Sequence, residues 1–76
     1  MNKTKTIQGR DGNHYTKLKI SVKKACFIID IDYDTWYGNW RAYKASQPFP
    51  NNFKDYFAIE NPYWLCKHGL INKTNQ

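Results

Sequence analysis

From residue 14 the chain alternates. Thr16, Leu18, Ile20 and Val22 fall on one side of an extended backbone, with Tyr15, Lys17, Lys19 and Ser21 on the other. That is the period of a half-buried strand. A second alternation covers 27–34, with Phe27, Ile29, Ile31 and Tyr33 on one face and Ile28, Asp30, Asp32 and Asp34 on the other. Folding the two about Lys23-Lys24 sets Ile20 opposite Phe27, Leu18 opposite Ile29 and Thr16 opposite Ile31, and it brings Lys17 to Asp30 on the outer face. A slip of one residue would turn the apolar set to water, so the pattern predicts a hairpin in this register. Its weak element is the turn, because Lys-Lys lacks the Asn-Gly chemistry that two-residue turns prefer.

The flanking segments extend the same picture. Arg10-Asp11-Gly12-Asn13 carries an Asp-Gly turn signal, and folding there places Ile7 opposite Thr16 and makes Thr4 to Gly9 an edge strand. Downstream, Gly38-Asn39 between the aromatic runs of 35–43 suggests another hairpin. The competing reading is a short helix capped by Asp34 with Trp36, Trp40 and Tyr43 at i, i+4 and i+7. Gly38 would cost that helix about 1 kcal/mol relative to Ala, which tips the reading to the hairpin. Pro48 and Pro50 break the chain. Beyond them Asn52 caps a turn carrying Phe53, Tyr56 and Phe57, and Asn61-Pro62 opens a helix with Tyr63, Trp64 and Leu65 that Gly69 closes. The expected fold is α+β: a three- or four-stranded antiparallel β-meander packed against one or two short C-terminal helices. Residues 1–76 form one domain with an ordered core over about 4–69 and tails at 1–3 and 70–76, since a chain this short buries only about 60% of its unfolded surface and cannot divide its core.

Charge changes the picture most. The net charge is +6, and all of the excess lies in residues 1–24, where Lys3, Lys5, Arg10, Lys17, Lys19, Lys23 and Lys24 face Asp11 alone. In the rest, Arg41, Lys44, Lys54, Lys67 and Lys73 balance Asp30, Asp32, Asp34, Asp55 and Glu60. A basic third on a neutral body fits either a phosphate-binding edge or a solubilising arm. No segment approaches the ~18 apolar residues of a membrane helix, and the start has no apolar stretch of a signal peptide. The expectation is therefore a cytoplasmic protein with no membrane partner. Cys26 and Cys66 are then expected as reduced thiols, and the glycosylation patterns at Asn2 and Asn72 as inert. The abundance of Lys, Asn and Ile, residues with A/T-rich codons, is associated with low-GC genomes such as those of phages and mobile elements.

Several chemistries find no support. Asp30, Asp32 and Asp34 match the opening of a calcium-binding loop, but the loop needs Gly at its sixth position and Glu at its twelfth, where this chain has Thr35 and Arg41. On a strand the three carboxylates read better as ordinary pairing for Lys17 and Lys19. Cys26, Cys66, His14 and His68 lack the spacing of a zinc site. There is no Gly-flanked serine elbow and no phosphate-cradling glycine loop. The expectation is a protein that is not an enzyme, without cofactor or metal.

Two readings of function follow. In the first, a small basic protein binds DNA or RNA, with phosphates held by Arg10, Lys17, Lys19, Lys23 and Lys24 and with Tyr15 stacking on a base. In the second, a virus- or mobile-element-encoded inhibitor or adaptor docks on a host protein through exposed Trp36, Tyr37, Trp40, Arg41 and Tyr43, the residue types that concentrate interface energy.

Overall fold

The computed structural model describes residues 6–74. Two short strands, β1 (Thr6–Gln8) and β2 (His14–Thr16), precede four helices: α1 (Val22–Ile29), α2 (Tyr33–Ala45), α3 (Phe53–Glu60) and α4 (Pro62–Lys67). The three- or four-stranded meander with one or two helices is therefore incorrect. The first part of the expected edge strand, Thr4 and Lys5, lies outside the described residues.

The error begins at Ser21. Its hydroxyl accepts the Lys24 amide at 3.1 Å and caps a helix, where the alternation had continued a strand. Val22, Ala25, Cys26 and Ile29, at i, i+3, i+4 and i+7, are all buried. One helical stripe thus competes with the period-2 pattern and wins, because it carries four side chains into the core together. Lys23 and Lys24, expected as a hairpin turn, are exposed in the first helical turn. Asp30 ends α1 in the left-handed region at φ 60, a conformation that Asp visits more readily than most residues. Lys17 accordingly never meets Asp30; its ammonium lies 2.9 Å from Asp55 Oδ2.

The hairpin expected over 35–43 is also a helix. Asp32, rather than Asp34, caps α2 by accepting the Thr35 amide at 2.9 Å. Trp36, Trp40 and Tyr43 do share a face, and that face packs on α3: Trp36 meets Phe57 at 5.9 Å between centroids, Trp40 meets Phe53 at 5.5 Å and Tyr43 meets Tyr56 at 4.7 Å. Gly38 sits in the helix interior, and each aromatic pair adds about 0.5–1.5 kcal/mol beyond simple burial, so several together outweigh one glycine.

The Arg10–Asn13 turn is present, with Gly12 at φ +90 and Asp11 Oδ1 accepting the Asn13 amide. The strands it joins pair one residue away from the expected register, Ile7 against Tyr15 and Thr6 against Thr16. Tyr15 therefore enters the core and Thr16 is only half-buried. Gly9 allows a close approach here: a Cβ at this position would lie 3.0 Å from Asp11 Oδ1 and 3.1 Å from Pro62 Cγ and Tyr15 Cε1, so those atoms would have to give by a few tenths of an ångström.

The C-terminal half follows the sequence closely. Asn52 caps α3, its side chain accepting the Asp55 amide at 2.8 Å. Pro62 opens α4, and Gly69 at φ +74 closes it with Leu70 N–H bonded to Leu65 C=O and Gly69 N–H to Cys66 C=O. That pair of bonds is a Schellman closure. Residues 70–74, expected as tail, run back along β2: Thr16 N–H donates to Asn72 C=O and Thr74 N–H to His14 C=O, each at 2.8 Å. Ile71 is 1% exposed. The core gathers Ile7, Tyr15 and Leu18 with the inner stripe of α1, Phe57 and Ala58 of α3, Leu65 and Ile71.

Candidate nucleic-acid interface

Tyr15, the expected stacking ring, is 5% exposed, and its hydroxyl donates to Asp11 Oδ2 at 2.6 Å. That hydrogen bond holds the Asp11 carboxyl below its ordinary range and pushes the Tyr15 phenol up. The ring is a core member and has no face to offer. Arg10 reaches across to α3 and forms a two-nitrogen pair with Glu60, whose hydrogen bond and charge raise its already high pKa. Lys17 is held by Asp55. Of the six residues expected to meet nucleic acid, Tyr15 is buried and Arg10 and Lys17 stand in surface ion pairs, and the strand face expected to carry Tyr15, Lys17 and Lys19 is lost because α1 replaces the second strand of that hairpin.

Lys19, Lys23 and Lys24 remain exposed, and none of them is in an ion pair among the described residues. They lie just before α1 and in its first turn. At the other end of the helix pair, Arg41 and Lys44 are exposed on the last turns of α2, with the Lys44 ammonium 4.5 Å from the Trp40 ring centroid. Between these groups lies the three-residue turn 30–32. Asp30, Asp32 and Asp34 gather at it, and the Asp32 carboxyl is lowered by its hydrogen bonds from Thr35. The segment is therefore helix, tight turn with one left-handed residue, helix, with acidic groups at the turn and basic groups at both distal ends. Turns of three or four residues between helices often contain Gly, and here Asp30 takes the left-handed position.

The outward stripe of α2 is Asp34, Gly38, Arg41 and Ala45, all exposed and spaced i, i+4, i+7 and i+11. No atom lies within 4 Å of a Cβ built at Gly38. The stripe carries one carboxylate, one guanidinium and two small residues, and the absent side chain at Gly38 leaves room for close approach of a partner. Of the aromatic residues expected to anchor a protein partner, Trp36, Trp40 and Tyr43 turn toward α3, and the Trp40 indole N–H donates to Asn51 C=O at 2.9 Å. Tyr37 is 40% exposed, though its ring also meets Phe53 at 5.3 Å.

Sequence reasoning missed Phe27 and Ile28. Both are exposed on the outer face of α1, beside Lys23 and Lys24. The signal was the stripe at 22, 25, 26 and 29, which leaves 23, 24, 27 and 28 outside once a helix is assumed.

Other candidate chemistry is dispersed. Burial pushes the Cys26 thiol up, and both cysteines are free. Among the described residues no three His, Cys, Asp or Glu side chains gather to hold a metal ion, and no helix is long and apolar enough to cross a membrane. An open cavity of about 390 Å³ lies between Asp11, Tyr15, Tyr63, Cys66 and Lys67. Its carboxylate is taken up by Tyr15 and Asn13, and the Lys67 ammonium lies 5.3 Å from the Trp64 ring. Neither family models, curated proteins nor solved structures gave a match to this chain.

Proposed function

We propose that the protein binds nucleic acid without catalysis, through the outward surface of α1, the 30–32 turn and α2. The observation that carries the reading is the helix–turn–helix segment itself, with Asp30 left-handed at the turn and Lys19, Lys23, Lys24, Arg41 and Lys44 exposed on its flanks. Two features shape how it binds. The Asp32 carboxylate accepts the Thr35 amide and puts negative charge at the start of α2, which disfavours a phosphate there. The three aspartates repel the backbone at the turn, so phosphates are held at the distal ends while the stripe around Gly38 and Arg41 faces the bases.

Four lysines contacting phosphates, with Arg41 on the bases, give a salt slope of about −3.6 in log affinity against log salt on a duplex, or roughly a 150-fold loss between 50 and 200 mM, and about −2.8 on a single strand. Anisotropy of a labelled 20-mer, single- and double-stranded, measures it. A slope near zero, or no binding to either form at 50 mM salt, overturns the reading.

A further inference from the structure

Phe27 is 87% exposed on α1. The rest of that helix is well accounted for: Ser21 caps it, and Val22, Ala25, Cys26 and Ile29 fill the core. Phe27 contributes to neither, and among the described residues its ring is in none of the pairs that join the other aromatic side chains. Its neighbours toward the helix start are basic, and Asp30 stands three residues after it at the helix end. Lys23 and Lys24 stand four and three residues before it, the spacing that puts side chains on one helical face within a single turn of about 5.4 Å. Ile28 extends the apolar surface on the far side. An apolar ring framed by two ammonium groups suits a polymer that alternates flat apolar faces with negative charge.

We propose that Phe27 is a base-stacking residue. Its ring lies against a nucleobase face exposed by an unpaired strand or an opened duplex step, while Lys23 and Lys24 hold the adjacent phosphates. Single-strand binders stack bases on aromatic rings beside basic residues, and duplex-bending proteins insert Phe or Ile between base steps. The two sources share one chemistry, the π-face of a base. The inference rests on the nucleic-acid reading above and assigns to Phe27 the part that sequence had given to Tyr15. Charge complementarity selects this occupant over an apolar protein surface, which would leave both lysines without counter-charge.

The test uses the full chain and a 20-mer carrying 2-aminopurine, offered as single strand and as duplex, with circular dichroism confirming that each variant folds. Phe27→Ala is expected to weaken binding by roughly 5- to 150-fold, to abolish the 2-aminopurine response and to leave the salt slope unchanged. Phe27→Tyr should restore both binding and response. Lys23→Gln with Lys24→Gln should lower the slope by about 1.8 on the duplex and about 1.4 on the single strand, and keep the response at saturation. A larger loss on the single strand identifies an unpaired base as the target, and a larger loss on the duplex an opened step. Wild-type binding by Phe27→Ala would overturn the stacking role and leave the nucleic-acid reading standing. No binding by the unmodified chain would remove both. Conversion of a dimer to a monomer by Phe27→Ala, with affinity per protomer unchanged, would make Phe27 a self-association residue and also overturn the proposal.

Discussion

Replacing Gly38 with Ala distinguishes the helix from the hairpin by the sign of one number. In α2 the residue lies mid-helix between Tyr33 and Ala45, and the added methyl would meet no atom within 4 Å. Nothing opposes the change sterically, so the gain is the difference in helix propensity, about 1 kcal/mol. For a domain of this size that raises Tm by about 4–8 °C. Were Gly38-Asn39 a two-residue hairpin turn, the same position would need positive φ, and alanine there would cost roughly 1–2 kcal/mol. Chemical and thermal denaturation followed by circular dichroism measure the difference directly. A destabilised Gly38→Ala variant would refute the helical assignment of 33–45 and, with it, the helix–turn–helix unit.

Three further outcomes follow from particular contacts. Gly9→Ala should destabilise by about 1–3 kcal/mol, opposite in sign to Gly38→Ala, because its methyl would press on Pro62, Asp11 and Tyr15; an unchanged denaturation midpoint would contradict the close approach of the turn to α4. Ser21→Ala should cost about 0.5–2 kcal/mol through the lost cap on α1, and equal stability would argue for a strand through Ser21. The Tyr15 hydroxyl lowers the folded-state pKa of Asp11, so its contribution is present above the ordinary carboxylate value, near pH 4, and is lost as pH falls through the lowered value. Tyr15→Phe should therefore flatten that part of the acid-denaturation profile, whereas a profile parallel to that of the unmodified chain would contradict the linkage.

What could be read from sequence depended on whether one local signal stood alone. The 10–13 turn, the Asn52 cap and the Pro62-to-Gly69 helix each carry strong, uncontested residues, and each is present. Residues 18–31 are different, since 18, 20, 22 and 27, 29, 31 alternate while 22, 25, 26 and 29 also form a helical stripe. Two features favoured the helix: the poor turn chemistry of Lys23-Lys24 and the capping residue Ser21. At α2 the cost of Gly38 was weighed without its tertiary context. Six ring pairs between α2 and α3 supply what propensity alone does not. Long-range ion pairs such as Arg10 with Glu60 and Lys17 with Asp55 follow from that packing and leave no trace in local pattern. Which basic residues stand near one another, and which have an acidic partner, depends on that packing and could not be read from the chain.

The central claim is that nucleic acid meets the α1–turn–α2 surface and leaves the β-hairpin free. Amide chemical shifts of the isotopically labelled protein, recorded as an unlabelled 20-mer is added at 50 mM salt, test it residue by residue. Shifts concentrated at Lys19, Lys23, Lys24, Phe27, Gly38, Arg41 and Lys44 are the predicted result. Shifts confined to Arg10–Thr16, or none at all, would contradict the account.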